Sequence, residues 1–566
     1  MFKLKAKKWC KNPFDIETQK AVNKLFYFPN ELEEAFYKDI EFGTGGIRGI
    51  VGVGTNRINK YTLGRCAQGI SNYLKKNSKR DVIKIVIAYD CRVNSKKWAS
   101  QIAEIFSANE IYCYLFSELR PTPELSFAIR YLNASCGIVI TASHNPMEYN
   151  GLKVYSEDGG QIVYPEDVDI IKYVNEVNFS EIKFKKNKDL IELIDKKIDE
   201  QFYEATINVA KFDKSLTKKL KIIFTPLHGA SITAIPKVLK MSGFKNVILV
   251  KEQSKPNGNF PTIKSPNPEE PEAFELAIKE AKKNDGEIIL ATDPDGDRIG
   301  VSIRDEDQKF YLLNGNQTMI IIFYFLLENL KKRGKLNGNQ FIATTIVSTP
   351  MLKKIASEYD VIYKETLTGF KWISKLIKDY PNLQFIAGGE ESYGYLIGDK
   401  VRDKDSVAAA LLICEIENQM RNNGGSIYEL LVDCYKKYGA YKERLVSFVK
   451  KGKKGINEIQ MKIDNYRNSP PKFIAGIPVV EIKDYKKRSS FNLVNGSNTK
   501  IHLPKSNVIS FILKDNSRIS VRPSGTEPKI KFYFSVNQPF NQSEKWKKIE
   551  KELDKKIDNL IQDLIK

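Results

Sequence analysis

Glu287-Ile-Ile-Leu-Ala-Thr292 runs directly into Asp293-Pro294-Asp295-Gly296-Asp297-Arg298. The first stretch is a short apolar run of the length of a buried strand. The second sets three carboxylates at i, i+2 and i+4 around a proline and a glycine, so a tight loop can turn them toward one hard cation. Few ligands, all oxygen, suit Mg²⁺, with phosphate or water completing the octahedron. A calcium-loop register fails. With Asp293 as position one, the sixth position is Arg298 instead of glycine and the twelfth is Arg304 instead of glutamate. The plain alternative, a solvated acidic turn, fits poorly behind an apolar strand.

The same alternation recurs on both sides of this stretch. Residues 83–88, 137–140, 220–224 and 341–346 read as further buried strands, and 271–283 and 406–422 as amphipathic helices. Such alternation predicts an α/β protein with parallel or mixed sheets. The last ~125 residues change character: strand candidates at 508–513 and 530–534 precede a charged helix from Ser543 onward, which predicts a smaller α+β domain. At roughly 150 residues per domain, 566 residues suggest about four. Boundaries are expected near 212, 313 and 440, giving domains 1–212, 213–313, 314–440 and 441–566.

A composition of 42% hydrophobic and 11% aromatic residues supports several cores and excludes a disordered chain. The longest clean apolar run, 319–327, is far short of the ~20 residues of a membrane span, and the basic start lacks a following apolar stretch. A cytoplasmic protein with no membrane partner is expected. Seven cysteines without C-x-x-C spacing read as reduced thiols. The net charge of +21 comes from lysines in short scattered runs with no interleaved stacking aromatics. It predicts a solvated surface that attracts anions, with no nucleic-acid partner.

Three more loops carry chemistry. Thr141-Ala-Ser143-His144-Asn-Pro146 follows a strand candidate, where open α/β sheets bind ligands. Read alone, Ser143 is equally a turn residue and a nucleophile or phosphate carrier. No G-x-S-x-G elbow surrounds it, and the chain holds only three histidines, so a serine-hydrolase triad is poorly supported. Gly388-Gly-Glu390-Glu-Ser392-Tyr-Gly394 can present a carboxylate and a hydroxyl to sugar hydroxyls, though a plain loop reads as well. Arg522-Pro-Ser524-Gly525-Thr526-Glu-Pro-Lys529 combines two cations, two hydroxyls and a glycine, a plausible phosphate cradle. The four loops fall one in each expected domain, and a central cleft between domains is where they would meet. Gly43-Thr-Gly-Gly-Ile-Arg48-Gly49 imitates a dinucleotide fingerprint, but Arg48 stands at the third-glycine position and residues 31–42 read as helix, not strand.

These loops, with Phe42–Gly49, Pro121-Thr-Pro123, Asn150-Gly-Leu-Lys153, Thr225-Pro-Leu-His-Gly229 and Lys264–Pro271, resemble the α-D-phosphohexomutase superfamily, which includes phosphoglucomutases and phosphomannomutases. The resemblance covers nearly the whole chain. It implies three α/β domains and a C-terminal α+β domain around a central cleft. It also implies a phosphorylated Ser143 and Mg²⁺ held by Asp293, Asp295, Asp297 and the phosphoserine, with Arg298 contacting that phosphate. Glu390 and Ser392 would hold sugar hydroxyls, with Thr368 and Gly369 contributing. Arg522, Ser524, Gly525, Thr526 and Lys529 would hold the phosphate that is not reacting. Arg48, His144, Lys153 and Lys404 match positions of electrostatic or proton-transfer function.

The implied activity interconverts glucose 1-phosphate and glucose 6-phosphate through a glucose 1,6-bisphosphate, which would also serve as activator. The alternatives are mannose and pentose phosphates, because the Ser-Gly-Thr-Glu-Pro-Lys loop follows the pentomutase-like branch. The small-molecule sugar phosphates are the expected partners, and monomer and homodimer both stay open. A sugar-phosphate phosphatase is a more distant alternative. Asp293-x-Asp295 after a strand superficially matches the haloacid-dehalogenase motif, which usually has Thr or Val where Asp297 stands.

Overall fold

In strand Lys84–Tyr89, Ile85, Ile87 and Tyr89 face one apolar cluster while Val86 and Ala88 face another. A strand's side chains alternate between faces, so a continuous apolar run marks a strand buried on both. The first cluster is completed by helices Lys60–Asn77, Ser95–Ala108 and Glu166–Glu176, the second by Thr122–Tyr131 and Lys196–Ala210.

The computed structural model describes residues 1–43, 45–210, 218–449, 452–523 and 529–565. The chain forms two units, Met1–Gly315 with Phe370–Gly424, and Asn316–Gly369 with Gly425–Lys566. In the first unit one sheet runs, across its width, Gly46–Ile50, Tyr149–Ser156, Cys136–Ile140, Lys84–Tyr89, Tyr112–Phe116 and Ile191–Ile194. Its last four strands are parallel, and Tyr149–Ser156 lies antiparallel to both neighbours. A second sheet runs Phe310–Leu313, Ile299–Arg304, Ile288–Thr292, Ile222–Thr225, Val247–Leu249, also mixed. Gln384–Glu390 and Gly394–Ile397 form an antiparallel hairpin. Helix Ser406–Asn422 follows, capped by Asp405, which accepts from the Val407 and Ala408 N–H groups at 2.9 and 3.0 Å.

Three short helices, Phe2–Trp9, Ile16–Leu25 and Pro29–Phe36, precede these sheets. They close around Trp9, whose ring stacks on Phe14 at 4.3 Å and meets Phe36 and Tyr61 edge-on.

In the second unit Gln340–Thr345 and Ile362–Thr366 pair in parallel, joined through helix Met351–Glu358. An antiparallel sheet runs Ala440–Val449, Lys529–Gln538, Arg518–Pro523, Ile509–Leu513, Ile477–Asp484, Ser489–Asn492, Asn498–Lys500. Helix Trp546–Ile565 buries Trp546, Ile549, Leu553, Ile557 and Leu560, one stripe at helical spacing. The expected α+β end of the chain is therefore present, and the expected strands at 83–88, 137–140, 220–224, 287–291 and 341–346 each form within two residues of those limits.

The glycine run at 43–49 leads into strand Gly46–Ile50, not a helix, so no dinucleotide-type turn forms. A Cβ on Gly46 would fall 1.9 Å from the Leu152 carbonyl oxygen, so its glycine serves strand approach. The apolar run 319–327 lies inside helix Gly315–Lys332, and among the described residues no helix is long and apolar enough to cross a membrane. All seven cysteines are free thiols, five of them buried.

Candidate active site

Three of the expected loops are turns between antiparallel strands of the first unit. Asp293–Arg298 joins Ile288–Thr292 to Ile299–Arg304, with Thr292 opposite Ile299. The Ser143 loop joins Cys136–Ile140 to Tyr149–Ser156. Glu390 faces Gly394 across the third turn, where Tyr393 is left-handed at φ +65° and Ser392 sits beside it. Ladder bonds therefore fix both ends of each loop.

Ser143 is buried and left-handed at φ +50°. A non-glycine residue there is uncommon and persists only where its surroundings enforce it. Its N–H donates to Thr141 Oγ1 at 2.8 Å. Its hydroxyl donates to Asp293 Oδ2 at 2.6 Å, and His144 Nδ1 lies 3.3 Å from Ser143 Oγ. The serine and the aspartates, about 150 residues apart in sequence, thus share one site. Arg48 reaches this loop by donating to Asn145 Oδ1 at 2.8 Å.

The aspartate loop is held from beneath by three other elements. Thr122 N–H, at the start of a helix, donates to the Asp295 carbonyl at 2.8 Å. Ala230 N–H donates to the Pro294 carbonyl at 2.8 Å, and Ser406 Oγ to the Gly296 carbonyl at 2.6 Å. Asp293 Oδ1 accepts the N–H groups of Asp297 and Arg298 at 3.1 and 3.0 Å.

All three carboxylates are buried, and a ligand oxygen from each lies within 4.8 Å of the others. Burial, reinforced by Asp295 and Asp297, pushes the Asp293 carboxyl far above the usual range. Burial also opposes ionisation of Asp297, but Lys153, Lys404 and Arg298 outweigh it and hold that group well below the range. Lys153 Nζ bridges Asp295 Oδ2 at 2.7 Å and Asp297 Oδ2 at 2.9 Å. Lys404 Nζ stands 3.1 Å from Asp297 Oδ2 and 3.1 Å from Asp403 Oδ1. Burial alone would lower both lysines; these carboxylates instead raise them above the ordinary lysine range.

Asp295 Oδ1 and Asp297 Oδ1 are buried and accept no hydrogen bond among the described residues. Buried carboxylate oxygens are ordinarily satisfied. Two open oxygens beside Asp293 are a donor set that fits a small divalent cation. The glycine at 229 lets the Pro226–Gly229 turn approach this loop, since a Cβ there would stand 2.6 Å from Pro294 Cα. Gly229→Ala is expected to weaken Mg²⁺ binding about 10-fold while touching no ligand, as measured by titration calorimetry. Unchanged affinity would show that the turn does not set the loop.

Arg298 Nη1 pairs with Glu269 Oε1 at 2.6 Å, while its Nε is buried with no hydrogen-bond partner among the described residues and lies 3.9 Å from Asp297 Oδ1. Glu390 is close enough to Lys404 and Arg298 to add to the upward shift of each. The other expected residues lie in the second unit. Thr368 and Gly369 follow strand Ile362–Thr366, and Gly369 is left-handed at φ +113°. Arg522 is the next-to-last residue of strand Arg518–Pro523, and Lys529 begins its partner Lys529–Gln538. Ser524, Gly525 and Thr526 between them lie outside the described residues.

Two residues of this site carried no assignment in the sequence. Glu269, the partner of Arg298, lies in the Lys264–Pro271 motif, whose composition alone assigns it no chemistry. Arg92, two residues past Asp90 at the carboxyl end of the expected strand 83–88, donates to the Ser143 carbonyl at 2.6 Å; that position is the available signal.

Sequence comparison agrees with this architecture. Profiles described as "Phosphoglucomutase/phosphomannomutase, alpha/beta/alpha domain I", domain II and domain III match residues 39–181, 200–306 and 314–438, and that of the C-terminal domain matches 477–556. A Staphylococcus haemolyticus phosphoglucomutase is 39% identical over 509 residues, covering 89% of this chain and 92% of its own. A Staphylococcus aureus phosphoglucomutase is 37% identical over 516 residues, covering 90% and 92%. The crystal structure of the Paramecium phosphoglucomutase pp63/parafusin superposes with a TM-score of 0.69 at 18% identity, covering 93% of this chain and 96% of that one, a likeness of fold. With four consecutive domain matches and relatives alike along nine-tenths of its length, the chain belongs to the phosphoglucomutase/phosphomannomutase family.

Proposed function

We propose that the protein is a phosphoglucomutase that interconverts α-D-glucose 1-phosphate and glucose 6-phosphate, carrying the phosphoryl group on Ser143. The observation that carries this reading is the buried Ser143 hydroxyl 2.6 Å from Asp293 within the aspartate loop. The phosphoglucomutase relatives support the choice of sugar.

In the first transfer, a free hydroxyl of the sugar monophosphate attacks the phosphorus on Ser143. The bond from phosphorus to Oγ breaks, a bond to the sugar oxygen forms, and the proton that the sugar hydroxyl gives up is matched by one that the Ser143 oxygen takes on, restoring the serine hydroxyl. The product is glucose 1,6-bisphosphate. In the second transfer Ser143 takes back the other phosphoryl group, and its hydroxyl proton must leave. Asp293 Oδ2 and His144 Nδ1 are the acceptors beside it, at 2.6 and 3.3 Å.

Phosphoryl transfer depends mainly on alignment and charge stabilisation. Asp293, Asp295 and Asp297 would hold Mg²⁺, which supplies Lewis-acid stabilisation of charge on the transferring phosphoryl oxygens. Arg298 offers its open Nε to that phosphate. Lys153 and Lys404 supply protonated cations as long as carboxylates face them, so either one acts as a base only after those contacts loosen. Arg48 steadies the loop through Asn145. Glu390, Ser392, Thr368 and Gly369 are assigned to the sugar hydroxyls, and Arg522, Ser524, Gly525, Thr526 and Lys529 to the phosphate that is not reacting.

A coupled assay on glucose 1-phosphate, mannose 1-phosphate and ribose 1-phosphate, with and without hexose bisphosphate, tests the substrate. The highest kcat/KM is expected for glucose 1-phosphate. A higher value for either competitor overturns the sugar assignment. Phosphate mapped to Ser143 separates the mutase from a phosphatase, which would release free phosphate rapidly.

A further inference from the structure

Arg92 is a buried arginine that no step above uses. Its guanidinium is spent on backbone oxygens of the Ser143 loop. Nη2 donates to the carbonyl of Ser143 at 2.6 Å and to that of Asn145, and Nη1 donates to those of Pro146 and Tyr149 at 2.8 and 2.9 Å. Nε faces Asp90 Oδ2 at 3.3 Å. Asp90 is itself fixed, accepting from the Arg92 N–H at 2.9 Å and from Ser95 Oγ at 2.8 Å. A planar fork of five donors can span several carbonyls at once, which an ammonium cannot.

The other side of Arg92 leads to the aspartate loop. Its guanidinium lies over the Phe260 ring, 5.1 Å from the centroid. Phe260 is buried and left-handed at φ +45°. In the same segment Asn257 N–H donates to the His228 carbonyl at 3.2 Å, and Thr262 Oγ1 lies 2.9 Å from His228 Nε2. The next residue, Gly229, packs on Pro294, and Ala230 N–H donates to the Pro294 carbonyl at 2.8 Å. A continuous run of contacts therefore joins the Ser143 backbone to the aspartate backbone without passing through Ser143 Oγ.

We propose that Arg92 is a positioning residue that sets the Ser143 loop against the aspartate loop, so that a phosphoryl group on Ser143 is aimed at the sugar hydroxyl and away from water. This rests on the phosphoserine reading. Attack by water instead of the sugar breaks the same bond, returning the Ser143 hydroxyl and inorganic phosphate. A loosened loop raises that leak and slows transfer, because a displacement near 1 Å costs about 10²-fold.

The test is Arg92→Lys in the full-length enzyme with Mg²⁺. The expected result is kcat lower by about 10- to 100-fold with KM within about two-fold. The fraction of phosphoserine lost as inorganic phosphate per transfer is expected to rise about tenfold, a partition that plain destabilisation does not move. Wild-type kcat and partition in a folded Arg92→Lys overturn the proposal, as does a rise in KM alone. Should that variant fail to fold, Phe260→Leu decides: the same split at smaller size supports the proposal, and wild-type behaviour overturns it. The underlying reading fails separately, if wild-type enzyme acquires no label on Ser143 from sugar bisphosphate.

Discussion

Ser143→Ala is expected to lower mutase turnover by at least about 10³-fold while leaving the protein folded. The substitution removes one oxygen from a buried site and changes little else. The loop's backbone bonds to Thr141 Oγ1 and to Arg92 do not involve the serine hydroxyl. Asp293 loses one donor but keeps the N–H groups of Asp297 and Arg298. What disappears is the atom that would carry the phosphoryl group, and no other hydroxyl lies on that loop except Thr141, whose oxygen already accepts from the Ser143 backbone. Intact mass should show a phosphoryl adduct in the wild type and none in the variant. Turnover near wild type in the purified variant would end the phosphoserine mechanism.

The second large effect concerns the metal. Mg²⁺ at about 100 times its Kd is expected to stabilise the folded protein by about 2.7 kcal/mol, read as a rise in melting temperature. Asp295→Asn should abolish most of that rise and lower kcat by at least about 10²-fold. Asp295 is the informative position because its Oδ2 is engaged by Lys153 while its Oδ1 accepts no hydrogen bond among the described residues. Lys153 keeps Asp297 as a partner in the variant, so the metal-free melting temperature should change little. An equal Mg²⁺-induced shift in both proteins, or turnover that survives a chelator, would refute this assignment.

The strands were legible because their cores lie on both faces. Ile85-Val-Ile-Ala88 and Ile288-Ile-Leu-Ala291 are continuous apolar runs, and continuity is what two-sided burial writes into a sequence. The aspartate loop was legible for the same reason, since an acidic triplet directly behind such a run has little access to water. The strand Tyr149–Ser156 was not anticipated: Asn150-Gly-Leu-Lys is polar by composition, and only its place between two other strands buries it. Arg92 and Glu269 were missed for a different reason. Their chemistry lies in partners 51 residues away for Arg92 and 29 for Glu269, and local composition says nothing about such pairs. The lysines show the limit of reasoning from residue type alone. A lysine that takes up a proton near neutral pH needs a lowered pKa, and the residue type does not reveal that the carboxylates facing Lys153 and Lys404 raise theirs.

The clamps on the aspartate loop have a consequence for how the chain becomes an enzyme. Thr122 and Ser406, which grip the carbonyls of Asp295 and Gly296, lie 173 and 110 residues away along the chain. Closing such long loops is entropically costly and is repaid only when distant segments dock. During synthesis the aspartates emerge well before Ser406, so the loop lacks one of its grips until the first unit's last helix has formed. Cation affinity therefore reports on completion of the fold, and a nascent or partly unfolded chain should bind Mg²⁺ weakly and hold no productive phosphoserine.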